Sequence, residues 1–466
     1  MARPPATRLQ LSGQRLLARR MMHALVRGDV AMHDDPLRVQ SLSLAVGGVL
    51  ATLVVVAGAV VGLVQPQRVP DSAPIVIAHD TGALYVRVGD TLHPVLNLAS
   101  ARLIARQAAN PVSASEKSIA SAKRGPLMGI PGAPATIGEP LRDQAWTVCD
   151  GENTVVGLGD SALEDLDSTR PVLVTPRGEG VATTYLLYDG QRAAVDRRNV
   201  AVVRALHLDG VDPIPVSRTL LDVVPEVPAI AAPYIDGAGA PGPPTLGGVT
   251  IGAVVSIQRV GTDERYVVLR DGLQLVGEVA ADLIGFTYDV HARPASIVAP
   301  AEIVTLPISD SLPVNSFPQR ARTPVGVADG RTVCARWRAG VSQTRTSSNT
   351  VISVGEWPYG DPAAITPLVQ ADGQGPNVDS VVMPGGVSAY VRSARIVGDD
   401  GTTGPRFLLT DAGVVFGVHD DDAAKFVGLK QYPEAAPWPI IAHLPRGPEL
   451  SVDGASVVRD GLPAPS

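Results

Sequence analysis

The 466-residue chain carries 39 Lys and Arg against 46 Asp and Glu, for a formal net charge of -7. Its arginines crowd the N-terminal arm, so the remainder is more acidic still and lacks the basic face that nucleic-acid binding requires. The length allows two or three domains, and 4% aromatics beside abundant Val, Ala, Gly and Pro favour short strands and tight connections over long helices.

Residues 1–41 read as a basic arm, in which Arg3, Arg8, Arg15, Arg19, Arg20, Arg27 and Arg38 are opposed only by Asp29, Asp34 and Asp35. Leu9, Leu11, Leu16, Leu17, Met21, Leu25 and Val26 recur at largely helical spacing among these arginines. The pattern predicts an amphipathic helix suited to an anionic lipid surface or to a partner, with Arg15, Leu16, Leu17, Arg19, Arg20 and Met21 as candidate docking residues.

Leu42 to Val64 follows without a single charge. About 20 apolar residues cross the roughly 30 Å hydrocarbon core, so this run predicts one transmembrane helix. Ala57-Gly58-Ala59 resembles a signal-cleavage site, but signal peptides have short n-regions and apolar stretches of about 7 to 15 residues, and here a 41-residue arm precedes a longer run. The arginine excess before the span puts the N-terminus in the cytoplasm and everything from Gln65 outside.

Beyond the span, four segments share one grammar: an apolar run, a Gly-containing turn, a second apolar run, and a polar residue opening a short helix. They are LYVRVGDTLHPVLNLASARLI (84–104), TYLLYDGQRAAVDRRNVAVVRAL (184–206), RYVVLRDGLQLVGEVAADLIG (265–285) and RFLLTDAGVVFGVHDDDAAKFVGL (406–429). Asp189-Gly190 and Asp271-Gly272 signal two-residue hairpins, Gly89-Asp90 is related, and Asp411-Ala412-Gly413 fits a three-residue loop. Each segment predicts a ββα unit, followed by a Pro-punctuated stretch, and such units must pack on one another or on a shared partner.

The predicted fold class is therefore α+β: one N-terminal span, then four ββα repeats around a β-rich central domain. The expected division is arm 1–41, span 42–64, repeat 1 at 70–135, a first piece of the central domain at 140–180, repeat 2 at 183–227, a Pro/Gly linker at 228–248, repeat 3 at 249–320, a second piece of the central domain at 325–400, and repeat 4 with the C-terminal segment at 405–466. Cys149 and Cys334 are the only cysteines. One lies in each central piece, and the expected topology puts both in an oxidising compartment, where paired thiols are the rule. A bridge closing a loop of about 185 residues would remove about 5 kcal/mol of unfolded-state entropy; the alternative is two free buried thiols.

Motifs for chemistry are weak. Gly237-x-Gly239-x-x-Gly242 has the letters of a dinucleotide fingerprint, but Pro241, Pro243 and Pro244 forbid the helix that would hold the phosphate. Gly159-Asp160-Ser161 has the look of a serine-hydrolase motif, yet the one D-x-x-H, Asp90 to His93, lies inside the first repeat. His419 with Asp420, Asp421 and Asp422 reads as helix capping more readily than as a cation site. No P-loop and no zinc spacing occurs, so neither a metal nor a cofactor is expected from the residues.

TRLQLSGQRLLARRMMHALVRGDVAMHDDPLRVQ followed by one span, LYVRVGDTLHPVLNLASARLI, GIPGAP at 129–134, W-x-x-C-D at Trp146 to Asp150, and APWPIIAHLPRGPELS occur in this order. Together they strongly resemble the EccB family, membrane components of actinobacterial type VII (ESX) secretion systems, across essentially the whole chain. The resemblance implies a structural subunit that joins EccC, EccD and EccE in an inner-membrane complex and self-associates above it. It also implies repeats similar in fold to cell-wall-binding modules of phage lysins, and hence contact with peptidoglycan. Descriptions of the family add an ATPase activity, which would bring ATP as cofactor, but no motif here receives that activity residue by residue.

Overall fold

The computed structural model describes residues 8–28, 36–64, 72–141, 145–159, 166–178, 183–259, 262–288, 296–341, 346–360, 365–397, 403–429 and 432–459. It divides into two bodies, Met1–Val69 and Pro70–Ser466.

The described residues of the N-terminal body form the helices α1 (Arg8–Arg27) and α2 (Pro36–Val64). Pro36 opens α2, where its missing N–H leaves nothing unsatisfied. The stretch Ser41–Gly58 of α2 is long and apolar enough to cross a membrane, and none of it is buried within the protein. The expected span thus begins inside a helix that starts six residues before Leu42.

In the C-terminal body the elements follow in chain order: β1 (Ile75–Ala78), β2 (Leu84–Val88), β3 (Thr91–Val95), α3 (Leu98–Ala105), β4 (Val112–Ala114), α4 (Glu116–Ala120) and β5 (Glu139–Pro140). After these come β6 (Trp146–Asp150), β7 (Thr154–Leu158), β8 (Val172–Pro176), β9 (Thr184–Tyr188), β10 (Gln191–Val195), α5 (Val200–Ala205), β11 (Ile214–Val216), α6 (Arg218–Val223) and β12 (Glu226–Ile230). The next group is β13 (Val254–Arg259), β14 (Thr262–Val268), β15 (Leu273–Val276), α7 (Glu278–Tyr288), β16 (Ser296–Ile297) and α8 (Pro300–Ile303). The chain continues with β17 (Thr332–Val341), β18 (Thr346–Gly355), β19 (Ile365–Pro367), β20 (Ser380–Val382), β21 (Val387–Ala394), β22 (Arg406–Thr410), β23 (Val415–Val418), α9 (Asp421–Val427), β24 (Glu434–Pro437), α10 (Trp438–Ala442) and α11 (Val452–Ala455).

Five sheets result. In sheets I (β1–β4), II (β8–β12), III (β13–β16) and IV (β21–β24), three consecutive strands run antiparallel, and a helix then returns the chain to a strand parallel to the first of the three. Polar side chains start most of those helices: Asn97, Asn199 and Asp420 each accept a main-chain N–H of the first turn of α3, α5 and α9. The Pro-punctuated stretch then forms a second short helix (α4, α6, α8, α10) and a segment that lies parallel to the third strand, as at Arg124 and Met128, at β12, at Ile308, and at Arg446 and Leu450.

The hairpins are set by their glycines. Asp189 and Gly190 both take positive φ (46° and 73°), as a type I′ turn requires, and Gly413 takes φ 75° at the end of its three-residue loop. Asp271-Gly272 departs from the expected two-residue hairpin. The Leu269 N–H donates to the Gly272 carbonyl (2.8 Å), so the turn falls one residue earlier, on Arg270 and Asp271, and Gly272 sits at φ 150° where a Cβ would run into the Pro307 carbonyl.

The central sheet runs β18-β17-β6-β7-β20-β19 and is built from two separated pieces of chain. It is smaller than expected from 140–180 and 325–400, because β8 pairs with β9 in sheet II and β21 pairs with β22 in sheet IV. A strand belongs to the sheet that supplies its partner, which local pattern does not reveal. The Pro/Gly stretch 228–248 also differs from a free linker: Ile235 and Leu246 are buried, and a 3-10 turn forms at Pro244–Leu246.

Packing joins these layers in series. α3 meets α9 and α11 in an apolar core between sheets I and IV, and α5 meets α7 in a second core between sheets II and III. The largest core lies on one face of the central sheet, where Trp146, Val148, Val156, Leu158, Ala335 and Trp337 meet Leu220 and Leu221 of α6 and Ile440 and Ile441 of α10. Within this core α6 packs on β6 and β17 of the central sheet and α10 packs on α6, so sheets II and IV each contribute their second short helix to it.

Candidate functional site

The densest constellation of motif residues lies on β6. Period-2 alternation sends Trp146, Val148 and Asp150 to the α6 face and Thr147 and Cys149 to the other. Cys149 stands directly opposite Cys334 on β17, and the two form a disulfide with S–S 2.06 Å and Cα–Cα 4.1 Å. Both sulfurs are fully buried beside Val155 and Tyr359. Trp146 stands opposite Trp337 in the same ladder, and both rings are buried.

Asp150, one residue past the cysteine, is 1% exposed. Its carboxylate accepts the Ser217 N–H (2.6 Å) and the Thr154 hydroxyl (2.7 Å). Ser217 is the N-cap of α6 and accepts the Leu220 N–H through its own hydroxyl (3.1 Å), so Asp150 ties the start of α6 to the central sheet. Burial pushes the Asp150 carboxyl above its ordinary value, opposed by the bonds from Thr154 and Ser217 and by the charge of Arg177. The Arg177 guanidinium donates to the Thr154 hydroxyl (3.3 Å) and the Gly151 carbonyl (3.4 Å).

A second carboxylate, Asp379, accepts the main-chain N–H groups of Thr154 (2.8 Å), Asp372 (2.8 Å) and Gly373 (2.6 Å). These carboxylates accept from caps and turns, and the arrangement suits holding three chain segments together. Local sequence gives W-x-x-C-D its place, but nothing in it signals Arg177, Ser217 or Asp379, whose roles arise from contacts 23 to 225 residues apart.

The remaining sequence candidates are dispersed. Arg15, Leu16, Leu17, Arg19, Arg20 and Met21 all sit on α1 with exposed side chains. Gly237, Gly239 and Gly242 fold into a turn that ends in the short 3-10 segment, so no helix N-terminus follows them. Asp160 and Ser161 lie outside the described residues. Asp90 sits in its turn, its carboxyl held low by the Thr91 hydroxyl and then by Lys123, while the His93 ring lies 3.1 Å from the Pro126 carbonyl. Asp420 accepts the Ala423 N–H (2.7 Å), Asp421 pairs with Arg406 (3.0 Å) and His419 with Glu449 (3.3 Å), so the acidic run caps α9. Among the described residues no group of three or more His, Cys, Asp or Glu is placed to hold a metal ion.

The family described as "Type VII secretion system ESX-1, transport TM domain B" matches residues 3–464. The chain is 34% identical to "ESX-3 secretion system ATPase EccB3" of Mycolicibacterium smegmatis, over 98% of this chain and 91% of that protein. It is 32% identical to "ESX-5 secretion system ATPase EccB5" of Mycobacterium tuberculosis, over 98% and 94%. Among solved structures, a chain of the intact ESX-5 inner membrane complex superposes with a TM-score of 0.72 at 30% identity, covering 100% of this chain and 98% of that one. A chain of the EccB3 dimer from the ESX-3 core complex superposes with a TM-score of 0.70 at 31% identity, covering 83% and 100%. The match runs through the arm, the apolar helix and all five sheets, and the chain belongs to the EccB family of type VII secretion membrane components.

Proposed function

We propose that the chain is a structural subunit of an ESX inner-membrane secretion complex, anchored by α2 and self-associating through its C-terminal body. The observation that carries this reading is the division of the chain. Among the described residues one exposed apolar helix precedes in the chain a large body whose buried polar groups serve as joints, and similar chains occur in an inner-membrane complex and in a dimer. The arginine excess before the span supports a cytoplasmic N-terminus and an extracytoplasmic C-terminal body. On this reading EccC, EccD and EccE are its neighbours, and the N-terminal arm meets them on the cytoplasmic side.

Sheets I to IV are four copies of one unit on the same reading, supported by their shared strand order, and the outermost of them are the natural place for peptidoglycan contact. Extraction of the tagged chain in mild detergent, followed by size and composition measurement, tests the proposal. Co-purification of the other membrane subunits at a mass well above one chain is expected; a lone monomer would overturn it. Deleting residues 1–40 should lose the cytoplasmic partners while preserving self-association. ATP turnover by the monodisperse protein, abolished by a single substitution, would replace the scaffold reading with an enzymatic one, and retention by purified cell wall would add the wall contact.

A further inference from the structure

We propose that α1 lies in the surface of an anionic phospholipid bilayer, with Leu17, Met21 and Leu25 in the acyl boundary and arginines on the headgroup phosphates. At about 100° per residue, Leu17, Met21 and Leu25 form one continuous stripe, with Ala18 and Ala24 beside it. Their side chains are 61%, 63% and 85% exposed, so among the described residues nothing covers this stripe. Arg15 and Arg20 flank it at about 100° to 120° on either side, the placement from which long basic side chains reach phosphates while their stems cover apolar surface.

The charge is one-signed: α1 holds Arg8, Arg15, Arg19, Arg20 and Arg27 and no Asp or Glu. Eight residues separate α1 from α2. Fully extended they reach about 28 Å, so the helix is always within reach of the bilayer that holds α2. Gln10 and Gln14 fall on the same side as the apolar stripe, which confines it to the second half of α1, the end next to the span. Charge complementarity and this tether select the bilayer as the occupant. Leu9 and Leu16 point well away from the stripe, among the arginines, and remain available to protein neighbours.

The full-length protein in lipid nanodiscs provides the test. Both native cysteines are in the disulfide, so a single introduced cysteine can be labelled selectively with an environment-sensitive fluorophore. Leu17→Cys and Leu25→Cys probe the stripe, and Ser12→Cys and His23→Cys the opposite side. In discs containing phosphatidylglycerol, quenching by a water-soluble quencher at positions 17 and 25 should be at least threefold weaker than at 12 and 23. The difference should vanish in phosphatidylcholine discs, and on replacing Arg8, Arg15, Arg19 and Arg20 by Gln. Equal quenching at all four positions overturns the proposal, as does protection that is the same in neutral discs or that arises only when other secretion subunits are present. The proposal rests on α2 as a membrane span; were that wrong, the protein would not be retained in the discs at all, a distinct result.

Discussion

Asp150 shows how one buried carboxylate can decide where a helix begins. Its two oxygens take the Ser217 N–H and the Thr154 hydroxyl in a site almost without solvent. Asp150→Ala leaves both donors without an acceptor, and since an unmet buried donor costs about 1 to 3 kcal/mol, a loss of about 3 kcal/mol in urea denaturation is expected. The pH dependence has a definite sign. Burial raises the folded-state pKa of Asp150 above the ordinary 3.8, so the folded state holds the proton more tightly than the unfolded chain. This contribution to stability is complete below 3.8 and is lost as pH rises through the folded value. Asp150→Asn fixes the neutral form. The stability of the natural protein minus that of the Asn variant should therefore fall as pH rises from about 4, measured by urea midpoints across pH; a difference that grew with pH would contradict the assignment.

At the scale of elements, the hairpin tips decide how sheets II and IV meet the central sheet. Gly190 lies against the Thr350 carbonyl of β18, and Gly413 would place a Cβ 2.6 Å from Leu368 and 2.9 Å from Val381. Gly89, at the corresponding turn of sheet I, has φ 62° but nothing within 4 Å of where a Cβ would sit. Gly89→Ala should therefore cost about 1 kcal/mol, the left-handed strain alone. Gly190→Ala and Gly413→Ala should each cost about 3 kcal/mol, because overpacking against the sheet adds to that strain. Thermal melts of the three variants compare the two terms directly; equal losses would mean that the tips do not carry the docking.

The hairpins of sheets I, II and IV, most of the helix starts and the apolar helix could be read from sequence because glycine, capping residues and uncharged runs act locally. The first strands of sheets II and IV could not: β8 and β21 are apolar runs like their neighbours, and only their partners assign them. The disulfide followed from two cysteines and an expected topology, whereas the links from Asp150 to Ser217 and from Asp379 to Thr154 join residues 67 and 225 positions apart.

For the whole molecule, the Cys149–Cys334 bridge matters through what its loop contains. The two residues are 185 apart, and the enclosed chain holds all of sheets II and III. β6 and β17 already share a five-pair ladder, so the bridge adds little to the folded geometry and acts mainly by limiting the unfolded chain. Replacing both cysteines by Ala should lower the stability of the body from Pro70 onward by about 5 kcal/mol, the chain-entropy value for a loop of this length, read as a lower urea midpoint. The effect should be uneven. The core between α3 and α9 lies outside the loop, while β6, β17 and α6 border it or lie within it. Hydrogen exchange in the double variant should therefore accelerate at β6, β17 and α6 before it does at α3 and α9. Simultaneous acceleration at all of these elements would mean that the five sheets unfold as one cooperative unit, and that the bridge stabilises the body without dividing it.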